Sequence, residues 1–404
     1  MTQRPLITAA HSGLRSGLVR TSNLSTVLRA LHVRGPLSRS ELGTLTGLTR
    51  SAVGALVTEL VGLDLVVENG SALGGGRGRP SALAAPAADR NVVIAVQITV
   101  DSIVVAAVGL GGTIHRVARV NRTRRRVGVD PTIVDVTALC REVIGDLAST
   151  STVHGVGVGV VGLVRRADNV VIVAPNLRWN EVPLGELLRD ALGGSLPVLV
   201  ANDADLSALA ELHRGAAIGE TEVISVWGEV GVGGGIITRG ELITGTTGFA
   251  GEVGHLPVNP DGLRCGCGSM GCWETEIGAT ALLRRAGLDP DGGAPAVDAL
   301  LQRAGAGDAT AIAALDDEAR WLGIGIAGLI NVLNPAMVVL GGLFGRVFAQ
   351  TAAVIHEEVE RRALPAARAG LRIVPAALGA HAPLLGAAEL AFERVIADPQ
   401  SVAR

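Results

Sequence analysis

The chain has 404 residues, more than the roughly 250–300 at which a single hydrophobic core stops growing, so two or three domains are expected. Hydrophobic residues make up 48% of it, but as short runs broken by Gly and Arg, never as an uncharged stretch of about 20, which predicts no transmembrane helix. The net charge of -3 by itself points to neither nucleic acid nor membrane, and the absence of lysine excludes a Walker-type phosphate loop. The N-terminus carries arginines in place of an apolar signal core, so a cytoplasmic protein with reduced thiols is expected.

The charge is unevenly spread. Residues 1–80 hold nine arginines against four acids, a balance of +5, which leaves -8 for the remaining 324 residues. A small basic head therefore precedes a large acidic body. In the head, Leu24, Val27, Leu28 and Leu31 recur at helical spacing until Gly35-Pro36. "SRSE" at 38–41 fits a capping box that opens a short second helix, which Gly47 ends. A third helix starts near Thr49 with Val53, Leu56, Val57 and Leu60 inward and Arg50, Ser51 and Gly54 outward. A short strand, a turn and the glycine-rich "GGGRGRP" follow. This order is that of a winged helix-turn-helix, whose third helix meets base edges in the major groove of double-stranded DNA. Arg50 and Ser51 are the expected base-facing residues. Arg77 and Arg79 are placed to reach phosphates, although a plain linker would contain them equally well. A three-helix interaction module with solvated arginines is the alternative.

From residue 92 three β-rich runs read as an antiparallel meander, followed by a helix at about 132–147 with Cys140 on its apolar face. The strand "VHGVGVGVV", the loop "APNLRWNEVPL", the strand "LPVLVAND" and a helix from about Asp205 to Arg214 complete a first half. A second half repeats the logic with "EVISVW", a hairpin, a cysteine-rich loop and helices, one of them stopping at Asn334-Pro335, and then the strand "MVVLGG". Two such halves predict two α/β lobes with a cleft between them. The expected boundaries are 1–80 for the winged head with its glycine-rich linker, 90–210 for the first lobe and 211–383 for the second. The C-terminal helix 384–397 is expected to return to the first lobe.

Three of the four cysteines fall in "CGCGSMGCWE" at 265–274. Cys265, Cys267 and Cys272, with His255 ten residues upstream, supply three thiolates and an imidazole, a closed tetrahedral set suited to structural zinc. A cysteine pair with a spare thiol, or buried small hydrophobes, are the alternatives. Glu252 and Glu274 flank these ligands, where rigidly held carboxylates can accept hydroxyl hydrogens from a sugar.

"GEVGH" at 251–255, the cysteine loop, "PNLRW" at 175–179 and "VANDAD" at 200–205 together resemble the ROK family of bacterial sugar repressors and sugar kinases. The resemblance covers about residues 90–395, and the winged head matches the repressor branch. It implies an actin-like ATPase fold of two lobes, a structural zinc, and a monosaccharide site lined by Asn202, Asp203, Glu252, His255 and Glu274, with Asn176 nearby. A homodimer or homotetramer acting on a DNA operator is the implied assembly. Asp203 matches the position that takes the hydroxyl proton in the kinases. The phosphate cradle departs from the family pattern: "QITVD" at 97–101 stands where kinases carry a glycine-rich turn, and Glu229-Val230-Gly231 where they carry Gly-Thr-Gly. A carboxylate there repels triphosphate. A sugar-responsive regulator without catalytic activity is therefore expected, with an active sugar kinase as the alternative.

Overall fold

The computed structural model describes residues 16–69, 82–122, 128–229 and 231–403. In the head, helix α1 (Ser16–Arg34) buries Leu24, Val27, Leu28 and Leu31, and strand β1 (Leu37–Ser38) leads into α2 (Arg39–Thr46). The capping box is present: the Ser38 hydroxyl accepts from the Glu41 N–H while the Glu41 carboxylate accepts from the Ser38 N–H. Thr49 caps α3 (Arg50–Gly62), whose Val53, Leu56, Val57 and Leu60 face inward. Strand β2 (Val66–Asn69) pairs antiparallel with β3 (Leu83–Pro86), and β3 also pairs with β1.

That sheet corrects two expectations. The head does not end at residue 80, since its last strand begins at Leu83. The stretch read as a linker joins two strands of one hairpin, with Asn69 opposite Leu83, and so does not tether head to body. Arg77 and Arg79 lie outside the described residues. The actual connection is short, and the Asn91 side chain bonds back to the Asp64 carbonyl of the head at 2.7 Å.

The first lobe contains β4 (Asn91–Ile98), β5 (Ser102–Gly109), β6 (Ile114–Asn121), α4 (Val129–Gly145), β7 (Thr152–Val160), β8 (Leu163–Arg165), β9 (Val170–Ala174), β10 (Trp179–Val182), α5 (Leu184–Ala191), β11 (Val198–Asn202) and α6 (Asp203–Arg214). The second contains β12 (Val223–Gly228), β13 (Val232–Thr238), β14 (Glu241–Leu242), α7 (Ala279–Arg285), α8 (Gly293–Gly305), α9 (Ala309–Leu333), β15 (Met337–Gly342), α10 (Leu343–Arg362) and β16 (Arg372–Pro375), after which α11 (Ala382–Ala397) closes the chain. The main sheets run β11-β7-β4-β5-β6 and β14-β13-β12-β15-β16. In each, an antiparallel meander is extended by two strands parallel to its first member. The lobes thus share one plan. The tight hairpins suit the antiparallel pairs, whereas each parallel pair needs a helical crossover.

Several strands go beyond expectation, Leu163–Arg165 and Val170–Ala174 among them. Trp179–Val182, read as loop, forms β10 against β9 because Trp179 and Val182 are drawn into the first lobe's core. β16 was not anticipated and adds to β15 as the parallel edge. Cys140 is buried as expected, and burial pushes its thiol up to about 12. Helix α11 returns to the first lobe and lies on β4, β7 and α6. Gly157 of β7 makes that approach possible, since a Cβ there would stand 1.9 Å from the Ala387 carbonyl oxygen. The head shares this core: α1 packs on α11, and Leu24, Leu28 and Leu31 join Leu390, Phe392 and Val395 in one cluster.

Candidate functional site

The run "GGG" at 233–235 in β13 places the site. Cβ atoms on Gly233 and Gly235 would stand 2.6 and 2.4 Å from the Ala204 and Ala208 methyls of α6. A Cβ on Gly234, pointing the other way, would stand 2.6 Å from Val253. Bare backbone therefore lets α6 lie directly on one face of the second lobe's sheet and the turn Val253–His255 on the other. The two sequence motifs that carry the acids meet there.

At the start of α6, Asn202 is the cap. Its Oδ1 accepts from the Ala204 N–H at 2.7 Å, and its Nδ2 donates to the Gly162 carbonyl at 2.9 Å. One amide hydrogen is left for a ligand. Asp203 follows as the first helical residue, and its carboxyl is pushed up to about 7 by burial and by the charges of Glu229 and Glu252. Burial also raises Glu252, with Glu274 acting the same way and His255 opposing, and raises Glu229 against the opposing charge of Arg346. The imidazole of His255 has Nε2 3.8 Å from Glu252 and Nδ1 3.6 Å from Glu274. Asp203, Glu229 and Glu252 are thus each made harder to ionise in a site that also holds Glu274 and His255, an arrangement suited to hydroxyl donors and hostile to anions.

The sulfur ligands lie immediately behind. Single donor atoms of His255, Cys265, Cys267 and Cys272 all fall within 4.8 Å of one another. Sγ of Cys267 and Cys272 are 3.7 Å apart, and Sγ of Cys265 is 3.7 Å from His255 Nδ1. Two thiolates held tetrahedrally at about 2.3 Å from an ion stand roughly 3.7 Å apart, so the cluster fits a tetrahedral metal ion. The backbone N–H of Ser269, foremost among several bonds, pulls Cys267 down to about 7 and favours its thiolate form. Cys265 Sγ donates to Glu274 Oε1 at 2.8 Å, and burial with this bond pushes its thiol up.

Other expected residues lie apart. Asn176 is exposed in the turn Pro175–Leu177 and forms no hydrogen bond among the described residues. Arg50 and Ser51 are exposed at the N-terminus of α3, with the Ser51 hydroxyl 3.2 Å from that of Thr49 and no ion pair on Arg50 among the described residues. Glu229 stands at the entrance to α10: a Cβ on Gly342 would lie 3.0 Å from its Oε1. Val230 lies outside the described residues. The "QITVD" turn is closed by its own hydroxyl, the Thr99 side chain bonding both the carbonyl and the N–H of Ser102, with Val100 buried.

Asp205 went unremarked in the sequence. It is buried, its Oδ1 has no hydrogen-bond partner among the described residues, and burial, with Glu252 and Asp203, pushes its carboxyl up to about 8 against the opposing charge of Arg166. The second acid of "NDAD" was the available signal.

Among the described residues no helix is long and apolar enough to cross a membrane. The chain is 27% identical over 384 residues to the xylose repressor of Bacillus spizizenii, covering 94% of this chain and 97% of that one. It is 34% identical over 263 residues to the glucokinase of Halalkalibacterium halodurans, covering 62% of this chain and 79% of that one. A solved ROK family transcriptional regulator, described as a homologue of the E. coli MLC protein, matches with a TM-score of 0.78 at 23% identity over 96% of this chain and all of that one, which shows a common fold. The ROK family model itself spans residues 93–394, both lobes and the whole cysteine loop included, and the chain belongs to the ROK family.

Proposed function

We propose that this protein is a sugar-responsive transcriptional repressor. In this reading a homodimer binds an inverted-repeat operator through the heads, with Arg50 and Ser51 toward base edges and Arg77 and Arg79 toward phosphates. A neutral monosaccharide is taken between Asn202 and Asp203 on one side and Glu252, His255 and Glu274 on the other, with Asn176 at the margin. Zinc on His255, Cys265, Cys267 and Cys272 is structural, since four protein ligands leave no position for an activated water. A metal-bound thiolate at Cys265 no longer donates to Glu274, whose carboxylate is then free to accept from a sugar hydroxyl.

The observation that carries the reading is the packing of a helix-turn-helix head onto the lobe that bears Asn202 and Asp203. The similarity to a xylose repressor along nearly the whole chain, head included, supports it. The test is a thermal-shift screen of D-xylose, D-glucose and N-acetyl-D-glucosamine, followed by anisotropy titration of a duplex that the protein selects from a random pool. A sugar that raises Tm and weakens duplex binding is the expected result. DNA binding that ignores every stabilising sugar refutes the reading.

The similarity to a glucokinase and the elevated carboxyl of Asp203 favour one second reading, an active sugar kinase. Against it stand Glu229 beside Gly342 and the hydroxyl-closed turn at 97–101, which offer bulk and charge where a nucleotide must be held in line. Sugar-dependent ADP release that disappears in Asp203→Asn would establish the kinase. No release is expected.

A further inference from the structure

The two ends of α6 serve different places. Its first turn carries Asn202 and Asp203, and its last carries His213 and Arg214, about 18 Å away at 1.5 Å per residue. Those two residues enter a buried polar cluster beneath the head. Arg214 Nε donates to Glu389 Oε1 of α11 at 2.5 Å, and its Nη1 donates to the carbonyls of His32 at 3.2 Å and Gly111 at 2.7 Å. His213 Nδ1 lies 2.8 Å from Glu389 Oε2, and His32 Nε2 of α1 lies 2.9 Å from the same oxygen. The Gly111 N–H donates to His32 Nδ1 at 3.0 Å, while His32 Nε2 faces both Glu389 Oε2 and, at 2.6 Å, Arg214 Nη2. The His32 and Glu389 side chains are only 1% and 2% exposed.

Such a cluster has few intermediate states. Burial opposes the charge on Glu389, yet His32, His213 and Arg214 hold its carboxyl well below the usual range. Shifting α6 by an ångström relative to α1 would leave a buried charge without its partners, a large penalty in a medium that cannot resolvate it. Motion of α6 must therefore carry α1 with it, or the cluster must break as a unit. Either outcome reaches the DNA-reading helix, because α1 packs directly on α3. The Arg214 cation at a helix C-terminus would stabilise α6 alone, but that explanation leaves unused the bonds from Arg214 to the carbonyls of His32 and Gly111.

We propose that α6 is the strut through which sugar binding reaches the head, clamped to it by Arg214, His213, Glu389 and His32. The proposal rests on the sensor reading above and names its route of regulation. Coupling between two sites is typically 5- to 150-fold in affinity.

The experiment compares operator affinity with and without saturating sugar, using whichever of D-xylose, D-glucose and N-acetyl-D-glucosamine raises Tm. It does so in the unaltered chain, Glu389→Gln and His32→Gln. The expected result is at least a fivefold change in the unaltered chain and less than twofold in both variants, with sugar and operator each still bound separately. A variant that folds and keeps the full change overturns the proposal. Loss of the response in the unaltered chain itself would instead overturn the sensor reading, and this route with it. Hydrogen exchange in the unaltered chain decides the matter should both variants fail to fold: sugar must alter protection of the last turns of both α6 and α1, and a change confined to the cleft overturns the strut.

Discussion

Asp205 joins a buried acid to a site already rich in acids, and its Oδ1 finds no donor among the described residues. Because its folded carboxyl is raised to about 8 from 3.8, the folded state holds a proton that the unfolded state has released at any pH between those values. Its contribution to stability is therefore fully present below about pH 4 and is lost as pH rises toward 8, at up to about 1.4 kcal/mol per unit. Asp205→Asn should flatten this decline and make the protein more stable at pH 8, which urea unfolding at pH 5 and pH 8 will measure. In the His255–Cys265–Cys267–Cys272 cluster, Cys267 is the exposed cysteine and the one whose thiolate is most favoured. Cys267→Ser should lower bound zinc from about one per chain to near zero in metal analysis and should abolish the sugar-induced rise in Tm, since the loop that positions His255 and Glu274 is then unpinned.

Among the elements, α3 presents the residues proposed to meet DNA, and α11 packs against β4, β7 and α6. Arg50→Ala removes an exposed guanidinium that has no ion pair among the described residues from the first turn of α3, so folding stability should stay within about 0.5 kcal/mol. Operator affinity should fall by about 1–3 kcal/mol with relaxed preference at one base position, read by anisotropy on a panel of single-base variants. Gly157→Ala acts in the reverse sense. Its methyl would collide with the Ala387 carbonyl, forcing α11 off β7 at a cost of about 1–3 kcal/mol in chemical unfolding. α6 combines both roles, being buried against β13 along one side and joined to polar partners at each end.

For the whole molecule, the doubled sheet plan sets two lobes on either side of a line of carboxylates, and the head is packed onto one of them. A ligand that draws Asp203 and Glu252 toward shared hydroxyls favours one lobe arrangement by no more than its differential affinity for the two. Glu252→Ala should therefore bind operator within about twofold of the unaltered protein and no longer respond to sugar, as anisotropy titration with and without sugar will show. A folded variant that lost operator binding instead would assign Glu252 a role in the head's placement.

The local elements were legible in the chain because their causes are local. The Ser38–Glu41 capping box, the Thr49 cap and the apolar stripe of α3 depend on residues within one or two helical turns, and all three form as read. The meander of β4, β5 and β6 and the convergence of His255 with the three cysteines followed likewise from short spacings, the latter aided by a family resemblance. What required the tertiary structure were contacts beyond the reach of a single helical turn or tight hairpin, some of them between segments hundreds of residues apart. β3 joins the head because its backbone finds β1 and β2, though "LAAP" carries little strand signal of its own. Trp179–Val182 becomes a strand because the core accepts its side chains. The meeting of His32 with Glu389 spans 357 residues, and nothing in either neighbourhood foretells it, since a buried ion cluster is decided by which partners the fold brings into one dry space.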